Sequence, residues 1–278
     1  MSWDTAIWLL GVCLTALRGM FFLLGAWRER RRCRGIAAEP GWNPFVSVVI
    51  PARNEERTIA RCVHSVMACT YPNFEVIVVD DNSTDGTAAV LEQLRQLYGE
   101  RLRVEALRDE SHSPNLRGKA RALHAGMEQA QGEIVLFTDA DCRVPPSWIA
   151  GMVAPFREAE VGFVAGITLV EGTSFFARFQ SVEWLLLSAA ASGAAGWGQA
   201  LGCFGTNLAV RAQAYWSVGG YARLPFSVTE DLTLQRAVVQ AGWQQRYRIM
   251  PEVCVMTLPV ATLGERLRQL QRWGRGGL

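Results

Sequence analysis

The 278-residue sequence predicts an α/β fold, a mixed sheet flanked by helices, set behind an amino-terminal transmembrane helix. Three observations carry that expectation. One long apolar segment ends in a basic run. Short β-rich runs then alternate with amphipathic helical stretches. Acidic and polar residues collect where those runs end.

Thr5 to Trp27 reads TAIWLLGVCLTALRGMFFLLGAW, with Arg18 as its one charge. About 20 helical residues cross the hydrocarbon core of a bilayer, so the stretch is long enough. Trp3, Trp8 and Trp27 lie towards its ends, where indole rings favour the interface. Arg18 costs roughly 2.5–3.5 kcal/mol on insertion scales, which the surrounding Leu and Phe residues offset. Arg28, Arg30, Arg31, Arg32 and Arg34 follow at once. Basic residues after an apolar run, rather than before it, read as a signal anchor, with an interfacial helix or a cleaved signal as the alternatives. Residues 1–34 are therefore expected to be an anchor with its basic flank, with the amino terminus outside the cell membrane and the rest cytosolic. Residues 35–44 read as a linker.

From Phe45 the pattern changes. Val46–Ile50, Glu75–Asp80, Leu102–Leu107 and Glu133–Asp139 read as buried strands. Helical spacing recurs at Ile59, Val63, Val66 and Met67, again at Val90, Leu91, Leu94, Leu97 and Tyr98, and again at Leu123, Met127 and Ala130. Such alternation implies a mostly parallel sheet with helices on both faces, whose ligands bind beyond the carboxyl ends of the strands. Those ends carry Pro51, Arg53 and Glu55, then Asp80, Asp81 and Asn82, then Asp139 and Asp141. Further on, Gly162–Ala165, Gly205–Arg211 and Arg246–Ile249 are expected strands. Ser174–Ala191 is an expected helix near the membrane surface, Ala191–Gly205 a mobile or closely packed loop, and Gly264–Trp273 a final helix. Residues 45–278 form one domain on this reading, with interfacial helices near 174–191 and 260–274.

Composition sets limits. Half of the residues are hydrophobic and 19% are charged, enough for a sizeable core. A formal net charge of +2 gives no bulk attraction to nucleic acid. Seven cysteines without C-x-x-C spacing fit reduced thiols better than disulfides or a zinc site. His64, His112 and His124 show no metal-ligand spacing.

The chemistry sits in four motifs. Asp139-Ala140-Asp141 places two carboxylates at i and i+2 after a strand; hard oxygen donors of this kind suit Mg²⁺ or Mn²⁺. Asp80-Asp81 at another strand tip exceeds what capping needs, whereas Ser83 and Asp85 read as turn and cap residues. Two readings stand for Asp231 in Thr229-Glu230-Asp231: an N-cap, or a general base able to take a hydroxyl proton. Gly118-Lys119 opens a helix suited to phosphate, although G-x-x-x-x-G-K-[ST] is absent and no P-loop is implied.

In this order, together with Gln269-Leu270-Gln271-Arg272-Trp273, the motifs resemble the family 2 inverting glycosyltransferases of GT-A fold, a Rossmann-like mixed sheet flanked by helices. They are most similar to the membrane-bound branch with the cellulose, chitin, hyaluronan and poly-N-acetylglucosamine synthases and ceramide glucosyltransferase. The resemblance runs from about Ser47 to Trp273. It implies a nucleotide-sugar site with Asp81 on the uracil ring, Asp139 on the ribose or diphosphate and Lys119 near the phosphates, beside the Pro51, Arg53 and Glu55 segment. It implies Asp141, with Asp139, on the divalent cation. Asp231 becomes the catalytic base with Glu230 beside it, and Phe204, Gly205 and Thr206 shape the acceptor site. Gln269, Arg272 and Trp273 line the acceptor end, Arg272 near the diphosphate and Trp273 stacked on a sugar. Arg53 stands where the family often has Tyr, and His124 where it often has Asn. Members of that branch continue past this last motif into further membrane helices, a region that the sequence to Leu278 does not include.

The expectation is thus a metal-dependent transferase that moves a sugar from a UDP-sugar to a glycan or lipid acceptor at the cytosolic membrane face, with a β-linked product. Two rivals stand beside it. One is an enzyme restricted to lipid acceptors, the other a non-catalytic scaffold that only binds nucleotide-sugars.

Overall fold

Residues 2–34, 41–108 and 113–277 are described by the computed structural model. Linker residues 35–40, His112 and Leu278 lie outside them. The apolar segment and its basic flank form one uninterrupted helix, α1 (Trp3–Cys33), capped by the Ser2 hydroxyl, which accepts from the Thr5 N–H. It is long and apolar enough to cross a membrane.

The strands and helices then alternate: β1 (Val46–Ala52), α2 (Ile59–Met67), β2 (Phe74–Asp81), α3 (Thr87–Tyr98), β3 (Leu102–Leu107), α4 (Lys119–Gln129) and β4 (Ile134–Phe137). Next come α5 (Trp148–Val153), β5 (Val161–Gly166), β6 (Thr168–Val170), α6 (Phe175–Ala195), β7 (Leu208–Arg211), α7 (Ala212–Ser217) and α8 (Gly220–Arg223). The chain continues through α9 (Glu230–Gln240), β8 (Gln244–Arg248) and β9 (Val255–Thr257) to α10 (Leu263–Gly277). The main sheet has seven strands in the order β3-β2-β1-β4-β7-β5-β8. All neighbours run parallel except β7, which is antiparallel to both β4 and β5. β6 and β9 form a separate parallel pair.

Each strand face builds its own core because side chains alternate across a sheet. Val46, Val48 and Ile50 pack with Ile59, Val63, Leu91 and Trp148 on one side. Val49, Ile77 and Val79 pack with Leu123, Met127, Tyr215 and Leu234 on the other. Both faces are covered, which is why β1 and β2 read as unbroken apolar runs.

Three expectations change. The strand foreseen from Gly205 starts only at Leu208, because Gly205 and Thr206 turn away into a cleft and Asn207 is consumed as a brace. The buried Asn207 amide donates to the Ile167 and Val253 carbonyls and accepts from the Trp148 indole. The helix foreseen to end at Ala191 runs on to Ala195, and its last turns are not a loop. Their small residues let α6 press against α1. Asp231 is not the N-cap of α9, a position held by Thr229.

The α1–α6 contact is close. A Cβ on Gly25 would lie 2.0 Å from the Gly193 carbonyl oxygen, and one on Gly196 would lie 2.0 Å from the Gly25 oxygen. Trp197 donates its indole N–H to the Phe21 carbonyl at 3.0 Å and stacks on the Phe21 ring. Further along, the buried Glu29 carboxylate accepts the Tyr247 backbone N–H at 2.7 Å, closing the outer edge of β8. α1 is thereby fastened to the sheet that carries the site.

Candidate active site

The carboxyl ends of β1, β2 and β4 lie side by side, since these strands are adjacent and parallel. Two loops there hold asparagines in the left-handed region, Asn54 at φ +58° and Asn82 at φ +58°. Asparagine tolerates this conformation better than most residues. The loops lock together: Asn54 N–H donates to Ser83 Oγ, and its Oδ1 accepts from Thr84 N–H. Asp85, one residue before the Gly86 N-cap of α3, accepts the Thr87 N–H at 3.0 Å. Pro51 is half-buried, Arg53 exposed, and Glu55 half-buried beside Thr58. Asp81 is buried and paired with Arg121 of α4 at 2.9 Å. Arg121 was not singled out from sequence; nothing local marks a helix residue as the partner of a distant strand end.

Beyond β4 a cavity of about 910 Å³ opens. Its lining includes Lys119, Asp139, Asp141, Phe204, Gly205, Thr206, Glu230, Asp231, Gln269, Arg272 and Trp273. Pro51, Arg53, Glu55 and Asp81 are outside that lining, at the neighbouring strand ends. The expected site residues thus fall into two groups, one at the β1–β2 strand ends and one in the cavity between β4, α9 and α10.

At the centre of the cavity Lys119 reaches Asp139 Oδ1 at 2.5 Å and Glu230 Oε1 at 3.5 Å. Burial works against the ammonium, but these carboxylates outweigh it and hold its pKa well above the usual lysine value. Asp231 accepts the Gly205 N–H at 2.7 Å through Oδ2 and the Leu232 N–H at 2.8 Å through Oδ1. A Cβ on Gly205 would stand 2.9 Å from Lys119 Nζ, the movable end of a flexible side chain, and 3.5 Å from Asp231 Oδ2. Burial raises the pKa of Asp231, with Lys119 opposing, and pushes Glu230 up to about 7. Asp141 accepts from the Thr257 hydroxyl at 3.0 Å, and burial followed by the Asp139 charge raises its pKa. Thr257 belongs to β9, a strand too short to be legible in the sequence.

The opposite wall is aromatic. Trp184 of α6 stacks on Phe204 at 4.5 Å and meets Trp273 edge-on at 5.5 Å. Buried Arg266 lies over the Trp273 ring at 5.0 Å, pairs with Glu183, and donates to Gln269. A cluster of acids and one lysine facing an aromatic wall suits a polyhydroxylated ligand carrying a charged leaving group.

Asp139 and Asp141 supply hard oxygen donors, and the burial and then the Asp139 charge that raise the Asp141 pKa are both costs that a divalent cation would offset. Among the described residues no group of three or more His, Cys, Asp or Glu side chains forms a full metal cage. An ion held by Asp139 and Asp141 would take the rest of its shell from a ligand's phosphate oxygens and water.

The fold is that of the GT-A glycosyltransferases. The mannosyltransferase PcManGT from Pyrobaculum calidifontis, solved with GDP-Man and Mn²⁺, superposes with a TM-score of 0.70 at 23% identity, over 95% of this chain and 73% of that one. Residues 47–219 match the family model described as glycosyl transferase family 2, and the chain belongs to that family. Among curated relatives, the β-monoglucosyldiacylglycerol synthase of Nostoc sp. strain PCC 7120 is 31% identical over 243 residues, covering 84% of this chain and 49% of the relative. The poly-β-1,6-N-acetyl-D-glucosamine synthase of Staphylococcus aureus strain COL is 25% identical over 240 residues, covering 84% and 54%. The chain thus spans about half the length of these relatives.

Proposed function

We propose that this chain is an inverting, metal-dependent glycosyltransferase that moves a sugar from a UDP-sugar to a hydroxyl of a glycan or lipid at the cytosolic membrane face. The observation that carries the reading is the meeting of Lys119, Asp139, Asp141, Glu230 and Asp231 in one cavity within a family 2 domain. A GT-A neighbour, S. aureus TarS, was solved with UDP-GlcNAc, and one curated relative is named as a glycolipid synthase while another is named as a polysaccharide synthase. Both acceptor classes are therefore represented around this chain.

The β1–β2 end of the crevice holds the nucleoside, with Asp81 on the uracil ring and Pro51, Arg53 and Glu55 around it. Asp139 and Lys119 hold the ribose and diphosphate. Asp139 and Asp141 hold Mg²⁺ or Mn²⁺, which when bound offsets the charge that builds on the departing diphosphate. The acceptor oxygen forms its bond to the anomeric carbon as the bond from that carbon to the UDP oxygen breaks. Asp231 takes the hydroxyl proton and the electron pair leaves with UDP. One displacement inverts the centre and gives a β-glycosidic bond. Phe204, Gly205, Thr206 and Glu230 shape the acceptor side, and Gln269, Arg272 and Trp273 close it.

Residues 1–34 act as anchor and residues 45–278 as the catalytic domain, with α6 and α10 lying along the membrane. On this reading the amino terminus lies outside and the catalytic domain in the cytosol, and the basic residues after the apolar span support that orientation. The test is a donor screen that reads UDP release from the membrane-reconstituted protein with and without Mg²⁺ or Mn²⁺. Metal-dependent release from one UDP-sugar supports the reading. Tight metal-dependent UDP binding with no release from any donor would favour the scaffold instead.

A further inference from the structure

The cavity has a greasy rim on one side. Leu187 and Leu201 on the α6 side, and Phe226 and Val228 on the loop before α9, all line it, yet each is 40–54% exposed. Half-exposed apolar residues gathered at the mouth of a site whose centre is charged mark a partner that is itself apolar.

The membrane level can be read from α1. Trp197, four residues before Leu201, stacks on Phe21 at 5.3 Å and also receives the Arg28 guanidinium over its ring at 5.3 Å. One indole therefore bridges the last part of the apolar span and the first residue of the basic flank, a separation of about 10 Å along a helix. That is the position of an interfacial aromatic residue. Leu201 follows within about 14 Å of chain at full extension, and Leu187 lies on the same helix that packs against Gly25. Phe179, Val182, Leu185 and Leu186 continue the exposed apolar face of α6 away from the rim. The mouth is thus level with the bilayer surface and joined to it by apolar side chains.

Resting on the proposed transfer reaction, we infer that the acceptor is a bilayer lipid with a hydroxyl headgroup, admitted sideways from the membrane between Leu187–Leu201 and Phe226–Val228. Its chains stay in the bilayer along α6 while the hydroxyl passes the Trp184–Phe204–Trp273 wall to Asp231. A soluble glycan would gain nothing from this rim, and its hydroxyls would displace water from leucine side chains without replacing the hydrogen bonds.

The experiment uses the full chain in phosphatidylcholine vesicles with the labelled UDP-sugar that passes the donor screen. Dioleoylglycerol in the vesicle and a soluble oligosaccharide of the same sugar are offered separately, and label is counted in the organic and aqueous phases. The expected result is label in the organic phase with dioleoylglycerol. In Leu187→Glu and Leu201→Glu, the ratio of lipid transfer to donor hydrolysis should fall at least about tenfold, the effect of roughly 1.4 kcal/mol. Transfer only to the oligosaccharide overturns the inference while the transferase reading stands. Donor hydrolysis with an unlabelled organic phase, or an unchanged ratio in both variants, also overturns it. Absence of any UDP release refutes the transferase reading itself.

Discussion

Placing valine at Gly25 should loosen the whole acceptor wall, although this residue is far along the chain from any catalytic group. The new Cβ would meet the Gly193 carbonyl oxygen at 2.0 Å and the Trp197 indole nitrogen at 2.7 Å. A backbone oxygen cannot rotate aside, so α1 and α6 must separate by about 1.4 Å to restore ordinary contact at 3.4 Å. Overpacking of this kind costs about 1–3 kcal/mol, a loss of roughly 3–10 °C in melting temperature for a domain of this size. Because α6 carries Trp184, the shift reaches the stack with Phe204 and Trp273. The acceptor KM should rise more than the UDP affinity falls. Gly11 and Gly19 provide the control, since a Cβ on either meets nothing within 4 Å. Thermal unfolding in detergent should place Gly19→Val with wild type and Gly25→Val well below it. If the two variants melt together, the α1–α6 seam does not brace the domain.

The other expected outcomes concern the cavity. Asp141→Asn should remove most of the Mn²⁺ dependence of UDP affinity in a calorimetric titration, and an unchanged titration would take Asp141 off the cation. Trp273→Ala should raise the acceptor KM about tenfold by removing aromatic contacts worth roughly 0.5–1.5 kcal/mol each, with UDP affinity nearly unchanged. Activity and stability should respond oppositely to pH. Burial lifts Glu230 from 4.5 to about 7 and raises Asp231 as well, against the pull of Lys119. A base must be unprotonated, so kcat/KM should climb with pH through an acid limb raised above the usual aspartate value. For folding, the raised Glu230 pKa gives a contribution that is full below 4.5 and lost as the pH rises through about 7. Its size is on the order of 3 kcal/mol at most. A flat melting temperature between pH 5 and 8, without ligand, would mean that Glu230 is already ionised there.

The strands β1 and β2 were legible because sheets covered on both faces need unbroken apolar runs, and their polar ends located the crevice; β3, expected to be buried, is instead the edge strand, with only Leu102 buried. Asp139, Asp141, Glu230 and Asp231 could be nominated because each follows or opens a recognisable element. What the sequence did not reveal depends on pairing across the fold. Thr257 lies 116 residues from Asp141, whose carboxylate it holds. Trp184 read as part of an apolar helix until α6 turned it onto Phe204. Gly193 and Gly196 fell in the expected 191–205 loop and Gly25 within the apolar span, and only the approach of two helices explains them. β6 and β9 are three residues each, shorter than any periodicity can report.

The central claim is that Asp231 takes the acceptor proton in a cavity whose other groups hold the donor. Single-turnover transfer by Asp231→Asn, with UDP binding measured on the same sample in the presence of Mn²⁺, tests it most directly. The account predicts UDP affinity close to wild type and transfer reduced by about 10²–10⁴-fold, the usual contribution of a general base. Transfer at the wild-type rate would contradict it.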